Sequence, residues 1–173
     1  MARVQTANAP SGFRVKLDER RGELSILEID SWIASEIKAI SPVVERLMQL
    51  IEGSQCVRGE EPAVELALRE AVNNAVVHGN RMDSRKLVHV RCRCELGKGV
   101  SLIVSQQGPG FDPSRVPNPL AVENLEANHG RGIHFMKSVM DKVSFKRGGR
   151  EVRLCKGPAH SPRTPLESNS SSR

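Results

Sequence analysis

The order in which the hydrophobic periodicity changes along this chain restricts its fold more than any single residue does. Residues Phe13 to Leu17 alternate apolar and polar, and Leu24 to Ile29 follow after the turn Glu19 to Gly22. Period two predicts two half-buried strands. Ile33, Ile37, Ile40, Val44, Leu47 and Ile51 then recur at helical spacing. Ser41-Pro42 is placed to cap and open a helix there, from about Ser41 to Glu52. A second helix is expected to open at Glu60-Glu61-Pro62, with acidic residues at its positive end. It runs to about His78 and meets Gly79-Asn80 as a left-handed stop. Val88 to Cys94 and Val100 to Ser105 read as strands turned through Gly97-Lys98-Gly99. Gly132 to Met140 reads as a helix, and Val143 to Lys146 pairs with Glu151 to Leu154 around Gly148-Gly149. Strands that follow strands directly pair antiparallel, which leaves the helices on one face. The fold class predicted is therefore α+β, a two-layer α/β sandwich with a mixed, mostly antiparallel sheet. A doubly wound nucleotide fold is excluded.

With 173 residues the chain fits one domain. The expected organisation is a loose arm over residues 1–12, a core over 13–156, and a Pro/Ser/Asn/Arg-rich tail over 157–173 that lacks the apolar content to fold. Aromatic residues make up 3% of the chain, with one Trp and no Tyr. Direct nucleic-acid binding is not expected, because single-strand platforms stack bases on aromatic rings. The net charge is +6, and from Asn128 onward ten Lys/Arg stand against three Asp/Glu. That basic end is either a solvated surface or one that attracts phosphates or an acidic protein. Cys56, Cys92, Cys94 and Cys155 contain no C-x-x-C pair, and they read as thiols of a reducing compartment. No signal-peptide core or membrane-length apolar run is seen, so a cytoplasmic location and no membrane association are expected.

Three segments carry chemistry. Glu70, Asn74 and His78 are spaced i, i+4, i+8 and form a line on a helix otherwise filled by Ala71, Val72, Ala75 and Val76. Taken alone, that line is the solvated edge of an amphipathic helix. Gly108 and Gly110 stand just beyond a strand, where backbone can approach a flat ligand closely. Gly130-Arg131-Gly132 leads straight into a helix, whose unpaired N–H groups and positive end suit phosphates. It is no Rossmann fingerprint, since Phe135 holds the third glycine position. Gly108 to Gly130 is a long stretch rich in Pro, Asn and Gly, of the length usually kept for function. His89, His134 and His160 show no ligand spacing and read as structural, whereas His129 adjoins the glycines.

Together these segments resemble the three ATP-binding boxes of the GHKL superfamily (Bergerat fold), and most of all the anti-sigma-factor serine/threonine kinases. The family pattern Glu-x-x-x-Asn-Ala-x-x-His-Gly stands here as Glu70 through Gly79. Asp-x-Gly-x-Gly-Phe stands as Gln106 through Phe111, and Gly-x-Gly-Ile/Phe-x-x-Met as Gly130 through Met136. The resemblance implies ATP and Mg²⁺ as cofactors. It makes Glu70 the general base on a substrate hydroxyl and Asn74 the Mg²⁺ ligand, with His78 near the phosphates. Gly108 and Gly110 would pass under the adenine, Phe111 would begin a lid, and Gly130, Arg131 and Gly132 would wrap the phosphates. It further implies a protein partner, a sigma factor or an anti-sigma-factor antagonist, and leaves the oligomeric state open, a homodimer included. One departure matters: the adenine-reading Asp is Gln106. Replacing a charged by a neutral hydrogen bond predicts a loss of roughly 1–2 kcal/mol, about 5- to 30-fold in affinity, and weaker preference for ATP over GTP. The alternative function is a non-catalytic or weakly nucleotide-binding partner-binding module of the same fold.

Overall fold

The computed structural model describes residues 4–9, 12–20, 23–110 and 131–159. Seven strands form one sheet: β1 (Val4–Ala9), β2 (Phe13–Arg20), β3 (Glu23–Ala34), β4 (Leu87–Glu95), β5 (Gly99–Gln106), β6 (Lys142–Lys146) and β7 (Glu151–Lys156). Their order across the sheet is β1-β2-β3-β4-β5-β7-β6, and every pairing is antiparallel. Three helices join them: α1 (Ile40–Ser54), α2 (Glu61–Asn73) and α3 (Arg131–Val139). The two-layer α+β architecture expected from the sequence is the one observed.

Strand alternation decides which sheet face is covered. Leu27 and Ile29 of β3, Val88, Val90, Cys92 and Cys94 of β4, and Leu102 and Val104 of β5 all point to the helices and are buried. Val44, Leu47 and Ile51 of α1 meet them with Val64, Leu68 and Val72 of α2, each fully buried. Those positions recur at three- and four-residue spacing, one stripe per helix. Each such side chain contributes about 1.5–3 kcal/mol relative to exposure.

The other sheet face carries charges in alternating rows. Lys16 and Arg93 flank Glu28 from the neighbouring strands, at 3.6 Å for the lysine. Trp32 stacks on His89 with ring centroids 4.0 Å apart, and His89 Nε2 contacts the Asp30 carboxylate. Glu151 is buried there among Arg153 at 2.7 Å, Ser105 at 3.3 Å and Arg91 at 3.8 Å. Burial raises its pKa, but these partners outweigh it and hold the carboxyl below its ordinary value.

Four sequence expectations need correction. The arm expected over residues 1–12 contains β1, which pairs with β2 along Val4 to Ala9. The sheet expected to be mixed has only antiparallel pairs among the described residues. Ile33 and Ile37 fit the helical spacing yet lie outside the helix. Ile33 pairs with Val88 in β3, and Ile37 is exposed in a short 3₁₀ turn. Finally, the left-handed residues after the second helix are Arg81 and Met82, at φ 58° and 57°, and not Gly79-Asn80. The expected tail falls outside the described residues beyond position 159.

Candidate functional site

Helix α2 opens with Pro62 in its first turn, where no intrahelical N–H is needed, and with Glu61 at its positive end. It does not stop at Asn73. Residues Asn74–Gly79 continue it as a π-helical turn, closed by Asn80 N–H donating to Ala75 O at 2.8 Å. Ala71, Val72, Ala75 and Val76 anchor this stretch in the core. Glu70 and Asn74 are left half-buried along its edge, and His78 is exposed.

Opposite that edge, α3 begins. A methyl group on Gly132 would lie 2.5 Å from Glu70 Oε2 and 3.4 Å from Asn74 Nδ2. The start of α3 therefore sits directly against the carboxylate and the amide, and any side chain at Gly132 would have to push the Glu70 carboxylate aside. Met136, buried on α3, fixes the helix to the core. The opening turn of α3 presents N–H groups that have no partner within the helix, next to a carboxylate and an amide. Such an arrangement offers N–H donors on one side and a proton acceptor on the other.

A second seam forms where β5 ends. Gln106 N–H donates to Arg150 O at 2.9 Å, which fixes the strand end against β7. Beyond it, Gly108 packs on Gly79 so closely that a methyl there would fall 1.8 Å from Gly79 O. The Gln106 side chain folds into this seam, and a methyl on Gly79 would meet its Cγ and Cδ at 2.7 Å. Gln106 Oε1 accepts the Gly108 N–H, while Gln106 Nε2 is shielded from solvent and has no hydrogen-bond partner. Gly110 holds φ at 84° beneath the β6–β7 turn, where a methyl would meet Gly148 O at 2.1 Å. Arg150 Nε donates to Pro109 O at 3.3 Å.

Three positioning residues were not singled out by the sequence reading. Asn80, fully buried, donates from Nδ2 to Leu87 O at 3.1 Å and accepts Gln107 N–H at 2.8 Å. Gln107 Oε1 in turn accepts Leu87 N–H at 2.7 Å. These two clamp the end of the π-helical turn to the glycine loop, and Arg150 holds the loop from the other side. An Asn after a helix reads first as a stop signal, so nothing in the pattern marked Asn80 as a buried clamp. Phe111, Gly130 and His129 lie outside the described residues, and Arg131 is described only as the backbone start of α3.

Among the described residues, no cluster of three or more His, Cys, Asp or Glu side chains is arranged to hold a metal ion. The thiols lie elsewhere. Cys92 and Cys94 are 3.9 Å apart in the core, and the Cys56 thiol is pushed up by its hydrogen bond with Cys94 and by burial.

An antiparallel sheet covered on one face, with a polar helix edge and two glycine seams converging beside it, defines a GHKL ATPase-like module. A family model for the histidine kinase-like ATPase domain matches residues 33–156, and the chain belongs to that family. No curated protein matches the sequence. Among the described residues, no helix is long and apolar enough to cross a membrane.

Proposed function

We propose that this chain is an ATP- and Mg²⁺-dependent serine/threonine protein kinase of the anti-sigma-factor type, acting in the cytoplasm on a protein partner. The observation that carries the reading is the meeting of Glu70, Asn74 and Gly132 at the start of α3. Phosphoryl transfer needs little covalent help from a protein; it needs positioning, charge stabilisation and a base at the nucleophile. In this reading the N–H groups at Gly130, Arg131 and Gly132 bind phosphate oxygens, with His78 nearby. Asn74 would hold Mg²⁺ through its side-chain oxygen, and the ion would supply charge neutralisation at the phosphates. Glu70 would accept the proton of the substrate hydroxyl as that oxygen bonds the terminal phosphorus and the bond from phosphorus to the ADP oxygen breaks, ADP departing with the electron pair. The resemblance puts Gln106 at the base, Gly108 and Gly110 let the loop pack on the Gly79 and Gly148 backbones, and Phe111 would begin the segment that covers the base. The partner is a sigma factor or an anti-sigma-factor antagonist, by resemblance of the three boxes.

A second reading is a partner-binding module that transfers no phosphate. It has Gln106 in its favour, since that position lacks a carboxylate. Thermal melting with millimolar ATP-Mg²⁺ tests the kinase reading's premise. A ligand at 100 times its dissociation constant stabilises by about 2.7 kcal/mol, or roughly 5–10 °C for a domain of this size. An unmoved melting temperature refutes the kinase reading and leaves the module. Glu70→Gln then separates them: kinase chemistry requires phosphate transfer to fall ~10²–10⁴-fold with binding retained. Absence of any transfer by the unsubstituted chain to co-purifying proteins favours the module.

A further inference from the structure

Six large apolar side chains are exposed among the described residues, and three of them stand at one end of the sheet. Ile37 is 61% exposed, Met82 52% and Leu87 40%. Their segments are tied together around the buried Ser35. Its N–H donates to Lys86 O at 3.0 Å and its hydroxyl to Val76 O at 3.4 Å, and Met82 N–H donates to that same Val76 O at 2.9 Å. Exposed apolar residues scattered singly need no explanation, but a group gathered at one place does. Met82 adds a second sign. Met82 and Arg81 hold φ at 57° and 58°, a left-handed conformation that is unfavourable for bulky side chains. A glycine would take that turn without strain. The chain keeps an exposed methionine there instead, a side chain adaptable in shape and suited to binding surfaces.

Charge surrounds these three. Lys38, Arg81, Arg85 and Lys86 adjoin them in the chain, against Glu36 and Asp83. Both carboxylates are already engaged, Glu36 by Lys38 at 2.8 Å and Asp83 by Arg85 at 2.9 and 3.0 Å. Two positive charges are left over: Arg81, which makes no ion pair among the described residues, and Lys86, 3.8 Å from the occupied Asp83. The backbone offers a partner nothing here. Leu87 N–H and carbonyl are bonded to Gln107 and Asn80, and β3 and β4 are each paired on both sides. A partner must therefore be recognised through side chains and not by adding a strand.

We infer that this end of the sheet is a docking surface for a partner protein that lays on it an amphipathic helix, its apolar stripe flanked by acidic residues. The stripe covers Ile37, Met82 and Leu87, and the carboxylates meet Arg81 and Lys86. A lipid surface of continuous negative charge fits less well, because Glu36 and Asp83 would face it, whereas discrete carboxylates can be set around them. The surface uses none of the residues assigned to nucleotide, so it stands whether or not the chain transfers phosphate.

The test is fluorescence anisotropy of the full chain with a labelled synthetic helix of about 18 residues, leucine at i, i+3, i+4 and i+7 and glutamate on both flanks. A second peptide carries lysine in place of glutamate. The acidic peptide should bind roughly 10-fold tighter or better. Met82→Gly removes the side chain and the left-handed strain together, so it should melt no lower than the wild type while binding falls roughly 10-fold. Ile37→Glu should weaken binding at least as far. Leu96→Glu, at an exposed apolar position beyond the opposite end of β4, should leave it unchanged. No binding at roughly millimolar acidic peptide, equal affinity for the two peptides, or full binding in folded Met82→Gly and Ile37→Glu overturns the inference. A wild-type dimer that Ile37→Glu dissociates overturns it as well, because a second copy would then be the occupant. Binding to phosphatidylserine vesicles that Ile37→Glu abolishes overturns it in favour of a membrane surface.

Discussion

Gly132→Ala places a methyl group 2.5 Å from the Glu70 carboxylate, about 1 Å inside ordinary contact, and 3.4 Å from the Asn74 amide. The nearer atom is the far end of a flexible side chain, so the carboxylate yields rather than the backbone. Moving it off its preferred rotamer costs about 0.5–1.5 kcal/mol. Alanine is favoured over glycine inside a helix by up to about 1 kcal/mol, which offsets most of that. The fold should therefore change by about 1 kcal/mol or less, a melting shift within roughly 4 °C. The chemistry should not be spared. In the proposed role of Glu70 as base, a displacement of about 1 Å costs on the order of 10² in rate. Gly108→Ala supplies the contrast, because its methyl would meet the backbone oxygen of Gly79 at 1.8 Å and nothing flexible can yield. Overpacking of that kind costs about 1–3 kcal/mol or more, a fall of roughly 3–10 °C. Thermal melting followed by circular dichroism, paired with phosphate transfer or ATP hydrolysis, reads both effects. Full catalytic rate in Gly132→Ala, or a larger melting loss there than in Gly108→Ala, would refute the reasoning.

Asn80→Ala should destabilise by about 1–3 kcal/mol, because the Gln107 N–H and the Leu87 carbonyl lose their partners in a partly buried setting; chemical denaturation measures it, and a loss below about 0.5 kcal/mol would mean the clamp is dispensable. Native protein should react with a thiol reagent at Cys155 alone, with Cys56, Cys92 and Cys94 reacting only on unfolding; fast labelling of two or more thiols would contradict the buried core. Cys56 has its pKa raised by the bond with Cys94 and by burial, so the folded chain holds that proton more tightly than the unfolded one. Its contribution is complete below the ordinary thiol pKa of about 8.5 and declines as pH rises above it. A denaturation midpoint that rises between pH 8 and pH 10 would run against this sign.

Much of the fold was legible because strands and helices announced themselves by period. The alternation in β4, with Val88, Val90, Cys92 and Cys94 inward, also fixed which face the helices cover. β1 was missed because the period of Val4 to Ala9 is weak and its strand character comes from pairing with β2. Ile33 and Ile37 misled because their four-residue spacing fits α1 as well as the end of β3; cross-strand pairing with Val88 decides for the sheet. For the site, the spacing of Glu70 and Asn74 was readable, and so were the glycines. Their meeting with Gly132 was not, since it depends on how α3 returns to α2 across some sixty residues of chain. The orientation of the Gln106 amide was invisible for a related reason, being set by Gly108, Gly79 and Arg150 in three dimensions.

The π-helical turn at Asn74–Gly79 contains one residue more than a regular helix would use. An α-helix advances about 100° per residue, so deleting a single residue there would rotate α2 by that angle relative to Asn80. The helix would become more regular and would gain shorter-range hydrogen bonds. Yet Val64, Leu68 and Val72 would swing off the sheet, or else Gly79 and Asn80 would leave the glycine loop. The surplus residue works as a phase adjuster between two surfaces that must each be met at a fixed angle. A deletion that heals this helix is therefore one the domain cannot accept, and one-residue gaps should be tolerated far better in the loop before β4 than within those six positions.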